Sequence, residues 1–114
     1  MNLPNSHLAV VEMAKLTEYL LNPTHPYGAS KARFFLGIGF ELEGHEVLAA
    51  ALREHGQRCE LAAHRDTPFG PRFEIEGAMR SPDGRNPRIR TVWQMDKGQL
   101  APRLITAYPV ERIT

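Results

Sequence analysis

Arg72-Phe73-Glu74-Ile75-Glu76-Gly77-Ala78-Met79 is followed by Ser81-Pro82-Asp83-Gly84, and then by Arg88-Ile89-Arg90-Thr91-Val92-Trp93-Gln94-Met95. Apolar and polar residues alternate on either side of a Pro-Asp-Gly turn. A period of two places successive side chains on opposite faces of a strand. Pro presets φ at the second turn position and Gly accepts positive φ, so the pair reads as two antiparallel strands. Working outward, Arg58–Arg65 and Arg103–Tyr108 have the same character, and Thr67-Pro68-Phe69-Gly70 and Asp96-Lys97-Gly98 separate them from the central pair. Short links join neighbouring strands, which predicts a four-stranded antiparallel meander.

Upstream of Arg58 the period changes to 3.6. Leu16, Tyr19 and Leu20 share one helical face within 15–21, which Asn22-Pro23 ends. A turn-rich loop, Asn22 to Ser30, leads to a second helix over 30–36, broken by Gly37-Ile38-Gly39-Phe40. A third helix is predicted over 43–54, with Val47, Leu48, Ala51 and Leu52 as its stripe and Gly56 as its stop. Helices followed by strands make an α+β domain with N-terminal helices packed on one face of the meander. Leu16, Leu20, Phe34, Phe35, Leu48, Leu52, Phe73, Ile75 and Trp93 are the expected core.

The chain of 114 residues has the length of a single domain, 1–114, with a formal charge of +1. Through His64 there are five Lys/Arg and seven Asp/Glu, whereas from Arg65 onward there are nine and six, and eight of those nine cations are arginine. Arginine's planar fork suits phosphate, although the same residues also make an ordinary solvated sheet face. A lone cysteine, Cys59, permits no internal disulfide and suits a reducing compartment. No stretch approaches a membrane span, and the Met-initiated N-terminus has no signal-peptide pattern, so a complete cytoplasmic chain is expected.

The five histidines are scattered, with no HExxH, Cys/His pairing or P-loop, so no metal and no cofactor are expected. Two segments could carry chemistry. His25-Pro26-Tyr27-Gly28-Ala29-Ser30-Lys31 places an imidazole, a flexible glycine and a cation at a helix start. Otherwise it is a turn in which His25 caps something. Arg88-Ile89-Arg90-Thr91-Val92-Trp93, beside Arg103-Leu104-Ile105-Thr106-Ala107-Tyr108, could present donors to a phosphodiester, or be a plain strand pair with Trp93 and Tyr108 in the core.

Several stretches also resemble an uncharacterised bacterial family, the DUF6883 type. They are Leu3-Pro4-Asn5, Leu20 to Gly28, Lys31-Ala32-Arg33-Phe34-Phe35, Gly39-Phe40, Asp66 to Gly70, Ser81 to Arg85, Arg90 to Trp93, and Pro102 to Pro109. Similar sequences occur as C-terminal toxin modules of polymorphic and contact-dependent inhibition proteins, a pattern similar to the barnase–EndoU–colicin–RelE class of ribonucleases. The resemblance implies a metal-independent ribonuclease-like toxin domain acting on RNA, with a cognate inhibitor or antitoxin as protein partner. On that reading His25 is acid or base, Lys31, Arg90 and Arg103 bind phosphate with Tyr108 in the catalytic set, and Thr91, Thr106 and Arg88 contact substrate. Regular alternation aims Arg90 and Arg103 away from Trp93 and Tyr108, so one pocket requires a bulge or a strand end. The competing function is a non-catalytic protein-binding module. An exposed strand edge also leaves room for a homodimer, and no contact with a membrane is expected.

Overall fold

The computed structural model describes residues 2–110. A short 3-10 turn, Ser6–Leu8, precedes an α-helical turn, Met13–Lys15, that runs directly into a π-helical turn, Leu16–Leu20; we label residues 13–20 α1. Helices α2 (Ala29–Gly37) and α3 (His45–Arg58) follow. Strands β1 (Glu60–Thr67), β2 (Gly70–Ala78), β3 (Arg88–Gln94) and β4 (Arg103–Pro109) complete the order. They pair antiparallel in the sequence β1-β2-β3-β4. The architecture is the α+β arrangement expected from the two periodicities.

Helices cover one sheet face. Leu16, Leu20, Phe35, Leu48 and Leu52 meet Phe73, Ile75, Ile89, Trp93 and Leu104, and all are buried. Phe34, expected in the core, is only partly buried, at the edge of the cluster. Helix α3 starts two residues later than expected and continues four residues further, through Gly56. That glycine is not a helix stop. A Cβ there would lie 2.8 Å from Trp93 Cζ2, so the missing side chain is what lets α3 approach the indole.

Two local features set the register. Val10 bridges Arg103 in parallel and covers the first part of β4's outer edge, with Val10 N–H donating to Pro102 O and Leu104 N–H to Val10 O. Further along β4 a bulge interrupts pairing: Trp93 opposes Leu104 while Val92 opposes Thr106, leaving Ile105 without a partner. Strict alternation puts Thr106 and Tyr108 with Leu104. The bulge instead turns Ala107 inward beside Leu104, where it is fully buried, and sets Tyr108 opposite Arg90.

A polar chain crosses the core. Trp93 Nε1–H donates to Thr91 Oγ1 at 2.8 Å, and Thr91 Oγ1 lies 3.0 Å from His55 Nδ1. His55 Nε2 lies 3.1 Å from both Gly77 O and Ile89 O. Two carbonyls at Nε2 require its proton there, so Nδ1 accepts from the Thr91 hydroxyl and the ring is neutral. Burial pushes the His55 imidazole below its ordinary value of 6.5, the carbonyls oppose this, and the charges of Arg58 and Arg88 reinforce it. In the unfolded chain the ring takes up a proton more readily than in the fold. Its contribution is therefore complete above about pH 6.5 and declines as pH falls toward the depressed folded value. Unfolding free energy measured in urea should drop by up to about 1.4 kcal/mol per pH unit in that window, and His55→Gln should flatten the slope. An equal slope in both proteins would show that another group sets the acid limit.

Candidate functional site

A cleft of about 440 Å³ opens where the end of β4 meets α1 and the first turn of α2, lined by Tyr19, Ser30, Lys31, Thr106, Tyr108 and Pro109. The Tyr19 hydroxyl lies 2.9 Å from Thr106 Oγ1 and ties α1 to β4. Lys15 and Lys31 both extend their ammonium groups toward the Tyr19 ring, at 5.3 and 5.8 Å from its centroid. Lys31 forms no ion pair with any described residue. On the far side of Tyr19 a second hollow of about 340 Å³ is bounded by Glu12, Ala14, Lys15, Glu18, Tyr19 and His25.

His25 packs edge-on against Tyr19, with centroids 5.1 Å apart. Its Nδ1 accepts from the backbone N–H groups of Tyr27 and Gly28, both at 3.0 Å. It therefore ties off the loop that starts α2.

The expected site residues thus separate. Lys31, Thr106 and Tyr108 line one cleft. Arg90 adjoins it from the neighbouring strand, where it pairs opposite Tyr108. Its guanidinium binds Glu76, and Glu74 at 3.2 Å, on the uncovered sheet face. Arg88 binds Glu76 at 3.2 Å. Together Arg90 and Arg88 hold the Glu76 carboxyl below the usual carboxylate range. Arg103 sits at the opposite end of β4, in a two-bond pair with Asp96 at 2.6 and 3.3 Å, and holds that carboxyl low as well. Thr91 is fully buried against His55 and Trp93, where no substrate reaches it.

Tyr19 is the residue that sequence reasoning missed. Its spacing from Leu16 and Leu20 reads as core. It packs partly buried against the core while its hydroxyl reaches Thr106 of β4, and Lys15 one turn earlier was the available sign of a polar surrounding. No group of three or more His, Cys, Asp or Glu among the described residues is placed to hold a metal ion. No helix among them is long and apolar enough to cross a membrane.

The chain matches the family described as Domain of unknown function (DUF6883) over residues 2–111, and it belongs to that family. No curated protein matches it. Among solved structures it is similar to a chain of a contact-dependent growth inhibition toxin–immunity protein complex from Klebsiella pneumoniae 342. The TM-score is 0.66 at 20% identity, covering 89% of this chain and 99% of that one, which shows a shared fold.

Proposed function

We propose that the chain is a toxin-type ribonuclease domain that binds and cleaves an RNA phosphodiester in the β4-end cleft. One observation carries the reading. The cleft gathers an ammonium without an ion-pair partner among the described residues, Lys31, with the hydroxyls of Ser30, Thr106 and Tyr108, while Arg88, Arg90 and Arg103 are all occupied by carboxylates. Attack of a ribose 2′-oxygen forms the P–O2′ bond and breaks the P–O5′ bond, the 2′-hydroxyl proton passing by way of solvent to the departing 5′-oxygen; the charge on the intervening phosphorane is what a cation with nearby O–H donors stabilises. The protein fold shared with a member of a toxin–immunity complex supports a cognate protein inhibitor as the natural partner. Purified chain should cut RNA in excess EDTA, since the cleft's own groups supply the charge. Intact RNA after prolonged incubation with well-folded protein would remove the enzyme reading and leave a binding module.

The bonds at His25 favour a holding role over proton transfer. An Asn side-chain oxygen can accept the same backbone N–H groups. His25→Asn should retain activity within a few-fold, whereas His25→Ala should lose about 0.5–2 kcal/mol of stability, the usual scale for a lost cap. Melting curves and cleavage rates of the two variants decide the matter. If folded His25→Asn is as inactive as His25→Ala, the imidazole itself takes part in the reaction.

A further inference from the structure

Tyr27 is 85% exposed, the most exposed aromatic among the large apolar side chains on the surface. A single exposed ring is ordinary in itself. This one stands at the end of a row. The Tyr19 hydroxyl contacts Thr106 in the cleft, the His25 ring stands edge-on to Tyr19 at 5.1 Å, and Tyr27 stands edge-on to His25 at 6.2 Å. The row is held in place. Pro26 restricts the backbone before Tyr27, and His25 Nδ1 fixes the Tyr27 N–H. The outer face of Tyr27 therefore presents a flat apolar surface on a tied loop, at the outer end of a row whose inner end, Tyr19, lines the cleft.

We infer that Tyr27 is a stacking platform for an unpaired nucleobase of a strand whose backbone passes the cleft at Lys31, so that the site selects single-stranded RNA. The inference rests on the ribonuclease reading and names its substrate class. An unpaired base gains a partner by leaving water for the ring, whereas a base within a duplex already has neighbours above and below it. Stacking of this kind tolerates any base, because every base has a π face. Lys15 and Lys31 lie over the Tyr19 ring at the inner end of the row and supply charge for the strand's backbone there.

The test measures binding of a short oligouridylate with 2′-O-methyl riboses, which can be bound but not cut, and of the same strand annealed to its 2′-O-methyl oligoadenylate complement. The wild-type chain should bind the single strand more tightly than the duplex. Tyr27→Ala should weaken single-strand binding roughly 5- to 150-fold, leave duplex binding unchanged, and be rescued by Tyr27→Phe, which keeps the ring. Equal single-strand affinity for Tyr27→Ala and wild type would overturn the platform, as would a wild-type preference for duplex. If Lys31→Ala weakens binding to both probes while Tyr27→Ala changes neither, the RNA site stands and the stacking role falls. Absence of wild-type binding to either probe would overturn both.

Discussion

Lys31→Ala and Tyr108→Phe should each lower the rate of RNA cleavage by about 10²- to 10³-fold, the scale observed when one preorganised donor to a developing oxyanion is removed. Lys31 is held near the Tyr19 ring at the start of α2 and is committed to no carboxylate among the described residues. Its charge is therefore available to a phosphorane. Tyr108 reaches the same cleft only because the bulge beyond Leu104 turns it, setting it opposite Arg90 on β3. Tyr108→Phe removes one oxygen and leaves the ring, so folding should be little affected. A loss in kcat without a matching loss of binding would mark an interaction that strengthens in the transition state. Lys31→Arg should retain part of the activity through its charge. Arg103→Ala is the internal control: its partner Asp96 is at the other end of β4, so its rate should stay within a few-fold of wild type. Wild-type cleavage by folded Lys31→Ala and Tyr108→Phe would place the chemistry elsewhere, and a collapse in Arg103→Ala would say where to look.

The contrast between Arg90 and Arg103 shows what the sequence could and could not disclose. Strand positions and turns were legible because alternation and turn chemistry are local properties. Gly84 adopts φ 80° in the turn that Pro82-Asp83-Gly84 foretold. Site geometry depends on pairing, which is not local. Glu74 and Glu76 share the wet face with Arg88 and Arg90 on the next strand, so the parity of the two strands already contained the ion pairs that occupy those arginines. Parity likewise placed Thr91 on the same face as Ile89 and Trp93, and its burial follows from that. The bulge in β4 has no comparable mark: no glycine or proline stands at Ile105 or Thr106, and the extra residue lies between the two points at which Val10 and Tyr19 contact the strand. Tyr19 shows the same limit: its spacing placed it on the face of Leu16 and Leu20, and it does pack against the core, but that its hydroxyl reaches Thr106 on β4 is a tertiary fact that helical periodicity does not carry.

Trp93→Ala should destabilise the fold by about 3–5 kcal/mol, the range for deleting a large aromatic from a packed core. The indole is fully buried, and its six-membered ring lies close enough to Gly56 to leave no room for a Cβ. Its removal opens a cavity between α3 and β3, which helix backbone cannot readily fill. It also takes the N–H donor from Thr91, at one end of the chain that runs through His55 to the Gly77 and Ile89 carbonyls. Trp93→Phe separates the two effects. It keeps much of the volume and loses the donor, so its cost should lie near the roughly 0.5–1.5 kcal/mol of one hydrogen bond plus a smaller packing loss. Domains of this size commonly have about 5–15 kcal/mol in total, so the alanine variant should be largely unfolded at modest urea concentrations. Stability close to wild type would mean that α3 is not anchored through this ring. Because β3 carries both Trp93 inward and Arg90 outward to Tyr108, loss of the core should also dismantle the cleft. Activity per folded molecule should therefore remain near wild type in Trp93→Phe, while total activity follows the folded fraction. A fall in activity per folded molecule would show that core packing sets cleft geometry as well as its population.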